Sequence, residues 1–188
     1  GMRRPGSVVG IDASPAGPGV GAFFDLDGTL VAGFTVAAVT RDRLRRREVG
    51  VGEFLNMMQL AVAYRLGRHQ FEGVIEGAVR SAKGRLAEDV DEMGERVFRQ
   101  SVADLIYPEM HELVRAHQRR GHTVVLSSSA LTMQAEPVAS YLGIDHVVCN
   151  RFVVDENGIL TGDIERPVIW GRTKATSVQR FAAEHDID

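Results

Sequence analysis

Apolar residues along this chain fall into two alternating rhythms. Three short stretches, AFFDL at 22–26, HTVVLSSS at 122–129 and DHVVC at 145–149, carry nearly continuous apolar runs. Runs that short and unbroken predict strands covered on both faces, as in a parallel sheet. Elsewhere apolar positions recur at helical spacing, at 35–47, 53–66, 70–82 and 88–103, with GVG at 50–52, Gly67 and Gly84 as breaks. YPEMHELVRAHQRRG at 107–121 predicts a helix begun by Pro108 and stopped by Gly121, and LTMQAEPVASYLG at 131–143 a helix kinked at Pro137. RFVVDENGILTGDI at 151–164 predicts a hairpin turned at Asn157-Gly158, and RTKATSVQRFAAEH at 172–185 a final helix.

Strand, helix, strand, helix, strand is the order of an α/β fold, a Rossmann-like parallel sheet with helices on its faces. The long helical block after the first strand reads as an inserted cap. The expected organisation is therefore a flexible leader at 1–20, rich in Pro, Gly and Ser, a core at 21–33 and 104–188, and a helical cap at 34–103. SVVGI within the leader is compatible with a short edge strand. Ligands of open parallel sheets bind beyond the carboxyl ends of the strands, so the DLDGT and SSS segments are expected to face one crevice.

Composition narrows the function classes. The 188 residues are 44% hydrophobic and 25% charged, as in a globular domain, and the formal net charge of −3 gives no footprint for nucleic acid. Cys149 is the only cysteine, so no intrachain disulfide can form and a reducing, cytoplasmic setting is expected. No apolar run reaches the roughly 20 residues of a membrane span, and the N-terminus lacks a signal-peptide core. RDRLRRRE at 41–48 reads as a solvated helix face, with an anionic membrane surface as its alternative. Met57-Met58 reads as cap core, His117 as a core-edge residue and Cys149 as inert.

Candidate chemistry concentrates behind the first strand, in GAFFDLDGTLV at 21–31. Side chains two apart on an extended backbone point the same way, so Asp25 and Asp27 are presented together. Two carboxylates that close repel unless a cation, a phosphorus centre or a shared proton lies between them. Gly28 allows a sharp turn that can aim backbone N–H groups at an anion.

This stretch resembles motif I of the haloacid dehalogenase-like phosphatase superfamily. HTVVLSSS resembles motif II, GRTK at 171–174 resembles motif III, and the insert is similar to that of phosphoserine phosphatases. AFFDLDGTLV, GHTVVLSSSALTMQAEPVA and GRTKATSVQRFAAEHDID also resemble the phosphatase-like N-terminal part of bifunctional 1-acylglycerol-3-phosphate acyltransferases. The resemblance implies Mg²⁺-dependent phosphomonoester hydrolysis through an aspartyl-phosphate. Asp25 is the implied nucleophile and Asp27 the general acid and base, with a pKa above that of Asp25. Gly28, Thr29, Ser128, Ser129 and Lys174 are the implied phosphate-binding residues, Ser128 being preferred to Ser127. Mg²⁺ is implied on Asp25 and Asp27, the latter through its backbone carbonyl.

The same resemblance implies a small phosphorylated substrate, an acyltransferase partner, covalent or not, and membrane-surface contact through a parent protein of phospholipid biosynthesis. Its alternative function is a catalytically weak binding or regulatory domain of such an acyltransferase. Two positions depart from the pattern. Phe34 stands where phosphoserine phosphatases carry the glutamate that meets the substrate ammonium, and Arg65 or Arg68 is left to bind a second acidic group. The family's acidic motif IV follows one more strand, whereas this sequence ends at Asp188; the parent is expected to continue, and Asp186 and Asp188 are not expected to replace motif IV.

Overall fold

The computed structural model describes residues 8–31, 35–67 and 71–188, so Phe34, Arg68 and residues 1–7 lie outside the described residues. Strands β1 (Gly21–Phe24), β2 (Thr123–Leu131) and β3 (His146–Asn150) form a parallel sheet in the order β1-β2-β3. β2 is central, and Val124, Val125, Leu126, Ser127 and Ser128 are all buried. A strand covered on both faces has no solvent side to mark, hence its unbroken apolar run. Phe24 pairs with Leu126, so Asp25 after β1 and Ser127 within β2 lie at the same end of the sheet. The three serines are not a loop beyond the strand, as expected, but lie within β2. Pairing to β3 is regular up to Ser127 and Val148, loses register, and resumes at Leu131 and Asn150.

Between β1 and β2 come α2 (Thr35–Arg45), α3 (Val51–Arg65), α4 (Phe71–Ser81) and α5 (Ala87–Val97). The expected helix at 88–103 is α-helical only to Val97. It continues as a wide turn at Phe98–Val102 and a tight one at Ala103–Leu105. Pro108 opens α6 (Pro108–Arg119), where a missing N–H costs nothing. α7 (Thr132–Leu142) carries Pro137 inside it without ending there. β4 (Phe152–Val154) and β5 (Leu160–Ile164) form the hairpin, and α8 (Arg172–Glu184) follows. In its turn, Asp155 Oδ1 accepts the N–H groups of Asn157 and Ile159.

The hairpin ties the insert to the core. Gly84 N–H donates to Leu160 O, Leu160 N–H to Arg85 O and Ala87 N–H to Gly158 O, while Ile75 and Val79 of α4 cluster with Ile164 and Val168. The basic run is only partly solvated. Arg41, Arg45, Arg46 and Arg47 are exposed, but Asp42 is buried against Arg96 at 2.8 Å, and that guanidinium holds its carboxyl below the usual range. Arg43 pairs with Glu53 at 2.7 Å. Met57 is half-buried as cap core requires, whereas Met58 is 51% exposed on the outer side of α3. Cys149 is buried and its thiol is pushed up to about 12, which keeps it protonated and inert.

Residues 8–20 are not a loose leader. Of SVVGI, the described residues 8–11 lie in a short helix, α1 (Val8–Asp12), not in a strand, and Ile11 is buried in the main core. The polar backbone that follows finds partners on the core: Gly17 N–H donates to Arg120 O, and Thr123 Oγ1 donates to Pro18 O at 2.7 Å. His122 Nε2–H donates to Pro15 O at 2.7 Å, which leaves Nδ1 of the neutral ring as an acceptor. That Nδ1 lies 2.8 Å from His117 Nδ1, so His117 is the donor of the pair. Burial, and then the neighbouring His122, lower the pKa of His117. The folded state therefore binds fewer protons than the unfolded chain, whose histidines titrate near 6.5. The stability from this pair is complete above that value and declines as pH falls towards the depressed folded pKa. His117→Phe, which keeps a ring against Phe24, is expected to narrow the difference in Tm between pH 7.5 and pH 5.5. An unchanged difference would show that the pair is not what acid disrupts.

Candidate active site

The loop after β1 turns back on itself. Leu26 O accepts from Thr29, Leu30 and Val31, and the buried side chains of Leu26, Leu30 and Val31 anchor the turn in the core. Gly28, at φ +76°, supplies the left-handed residue that the turn requires. This geometry corrects one expectation. Gly28 N–H is spent on Val31 O at 2.8 Å and Thr29 N–H on Leu26 O, so neither amide is held out for an anion.

What the turn holds out is the carboxylates. Asp25 Oδ1 accepts the N–H of Leu26 at 2.8 Å and lies 3.0 Å from Lys174 Nζ, with the carboxylate side chain 43% exposed and the lysine 29%. Asp27 Oδ1 accepts the N–H of Thr35 at 2.9 Å, at the start of the insert. Burial raises the pKa of Asp27, helped by the charge of Asp25. The Thr35 N–H and hydroxyl and the charge of Lys174 offset only part of this.

Lys174 reaches Asp25 because the segment before α8 is pinned to β2. Asn150 ends β3 and is 1% exposed. It accepts Ile169 N–H through Oδ1 at 2.7 Å and donates from Nδ2 to Ser129 O at 2.7 Å and Ile169 O at 3.1 Å. One amide thus locks the loop that carries Lys174 to the serine segment of β2. Sequence reasoning missed it, although an Asn closing the apolar run HVVC is an unsolvated polar group that demands partners.

Ser128 is buried, and its Oγ accepts the N–H of Ala130 at 3.0 Å; Ser129 is half-buried. Ser127 follows Leu126 in β2 as Asp25 follows Phe24 in β1, and Ser128 stands one residue further on, so the two serines and Asp25 lie at the same sheet end. Ser127 is buried, and its Oγ has no hydrogen-bond partner among the described residues, a costly state that an incoming acceptor would relieve. Asp186 and Asp188 stand elsewhere: Asp188 N–H donates to Gly19 O, at the opposite end of β1 from Asp25. Arg65 closes α3. Among the described residues no group of three or more His, Cys, Asp or Glu is placed to hold a metal ion by itself. No described helix is long and apolar enough to cross a membrane.

The chain is 28% identical over 176 residues to the "Inhibition of morphological differentiation protein" of Streptomyces azureus, covering 91% of this chain and 62% of that protein. It is 25% identical over 192 residues to phosphoserine phosphatase SerB1 of Mycobacterium tuberculosis, covering 100% of this chain and 62% of the relative. The chain therefore spans less than two thirds of the length of these relatives. A crystal structure of a protein from Bordetella pertussis Tohama I shares the fold with a TM-score of 0.77 at 19% identity, covering 89% of this chain and 75% of that one. Residues 22–188, from the first strand through the last helix, match the haloacid dehalogenase-like hydrolases, and the chain belongs to that family.

Proposed function

We propose that the protein hydrolyses phosphomonoesters through a covalent phosphate on Asp25. The observation that carries this reading is the 3.0 Å contact of Lys174 with Asp25, next to an Asp27 carboxyl that burial has raised. A carboxylate oxygen of Asp25 bonds to phosphorus as the P–O bond to the alcohol breaks, and the alcohol oxygen takes the proton of Asp27. Asp27, now ionised, takes a proton from water. The water oxygen bonds to phosphorus, the bond to Asp25 breaks, and inorganic phosphate leaves. Lys174 offsets the negative charge that Asp25 and the phosphoryl group bring together. Ser128 and the N–H of Ser129 are proposed to hold phosphate oxygens, with Ser127 as a further donor. Helices α2 to α5 serve as the cap.

The donor set suits Mg²⁺, which takes hard oxygen ligands and is usually held by one or two carboxylates together with substrate phosphate and water. Asp25 and the carbonyl of Asp27 would hold it. When bound, it neutralises charge on the phosphoryl oxygens. The alternative of a binding module joined to an acyltransferase finds no support in the two relatives, one of which is named a phosphoserine phosphatase.

The test is hydrolysis of p-nitrophenyl phosphate and of O-phosphoserine by the full-length protein, with Mg²⁺ and after EDTA. Turnover that EDTA abolishes and Mg²⁺ restores is expected; no turnover of any phosphomonoester would end the reading. Asp27→Asn separates its role from that of Asp25. It is expected to lower kcat on an alkyl phosphate by about 10²–10⁴-fold, the worth of a general acid. The loss on p-nitrophenyl phosphate should be smaller, because that leaving group needs little protonation. The fall of kcat as pH rises through the raised pKa of Asp27, which follows its deprotonation, should flatten in the variant.

A further inference from the structure

From the cavity between the insert and the core, we infer that the phosphomonoester is the ester of an aliphatic alcohol, its chain lying between α2, α3, α4 and the start of α7. This rests on the phosphatase reading above and adds the substrate class. The cavity encloses about 400 Å³, in the range of small-molecule sites, and its walls include Val39, Met57, Leu60, Val74, Met133 and Phe152. The charges in its described walls are already partnered. Arg43 and Glu53 meet at 2.7 Å, and Arg85 faces Glu48 at 4.0 Å. A substrate ammonium or carboxylate therefore finds no unpartnered opposite charge in the described wall, whereas an alkyl chain gives up no polar contact by entering.

The cavity is coupled to the catalytic carboxylates. Its wall residue Gln134 donates from Nε2 to Thr35 Oγ1 at 3.0 Å, and Thr35 N–H donates to Asp27 Oδ1 at 2.9 Å. Leu131, another wall residue, directly follows the Ser127–Ala130 segment. α3 supplies the third observation. It is apolar on its inner side, where Met57 and Leu60 line the cavity, yet none of its described side chains is fully buried. A cavity-facing apolar side without a core beneath it fits a helix that packs on ligand. Methionine at three wall positions, Met57, Met93 and Met133, suits a chain of variable shape.

The experiment measures kcat/KM of the full-length protein on ethyl to decyl phosphates, below their micelle concentrations, beside O-phosphoserine. Calorimetric binding of ethyl and decyl phosphonates, which cannot turn over, runs in parallel. Each added methylene should raise kcat/KM and phosphonate affinity by about two- to fourfold until the cavity is filled. Gly77 lines the cavity, and a Cβ there meets only Leu60 Cδ1 at an ordinary 3.5 Å, so Gly77→Leu projects its remaining atoms into the space. It should cut the decyl-to-ethyl ratio at least tenfold. Leu55→Ser, on the exposed outer side of α3 at 62% exposure, should keep the ratio. A flat series with O-phosphoserine preferred overturns the inference while leaving the phosphatase reading intact. Chain-dependent phosphonate binding without any turnover does the reverse. A ratio that falls in Leu55→Ser but not in Gly77→Leu places the chain on the outer surface and overturns the inference too.

Discussion

Asp25→Asn is expected to lower phosphatase activity by at least ~10³-fold, about 4 kcal/mol of transition-state stabilisation, while the fold survives. A neutral amide oxygen is a poor nucleophile toward phosphorus, and the neighbouring Asp27 is committed to the proton. The fold survives because Asp25 belongs to the site and not to the core. Its side chain is 43% exposed, and its partners are the adjacent Leu26 N–H and a lysine that still reaches water at 29% exposure. An Asn side-chain oxygen can take over the bond from Leu26, and Lys174 can turn to solvent without leaving a buried charge. Circular dichroism and Tm should match wild type while single-turnover release of phosphate disappears. Activity within tenfold of wild type would remove Asp25 from the nucleophile's role and with it the proposed mechanism.

The sheet and most helices were legible because hydrophobic burial leaves its period in the sequence. β2 reads directly from HTVVL, and the insert from its helical spacing broken by glycines. The pairing of Lys174 with Asp25 was accessible only through motif resemblance, since the two lie far apart in the chain and nothing in local pattern brings them together. Three features were misread for reasons of tertiary context. SVVGI reads as strand or loose leader because its β-branched residues sit among the Pro, Gly and Ser of 1–20. Residues 8–11 are helical because Ile11 finds the core and His122 and Thr123 take the carbonyls of Pro15 and Pro18. The amides of Gly28 and Thr29 were expected to face an anion, but the turn consumes them. Asn150 was invisible because its importance lies in two segments, Ser129 and Ile169, that only the fold places on either side of it.

Gly94→Ala is expected to destabilise the protein by ~2 kcal/mol, although alanine is the better helix former. Gly94 is buried in α5, where a Cβ would stand 2.2 Å from the carbonyl oxygen of Met133 and 3.0 Å from its carbonyl carbon. These are backbone atoms near the start of α7, so no side-chain rotation relieves the clash. The helix must move. Overpacking a core typically costs 1–3 kcal/mol, and the gain of about 1 kcal/mol from replacing a helical glycine offsets only part of a backbone displacement. The loss is large against a total stability of roughly 5–15 kcal/mol. For a chain of this size it should lower Tm by about 4–8 °C. Gly77→Ala is the internal control, because its Cβ has ordinary room at 3.5 Å from Leu60 Cδ1 and helix propensity alone should raise Tm slightly. Met133 also adjoins Gln134, whose amide bonds Thr35 beside Asp27, so a displaced α7 should lower kcat in Gly94→Ala at temperatures where it is still folded. Equal or higher Tm for Gly94→Ala than for Gly77→Ala would show that α5 and α7 do not approach this closely in solution.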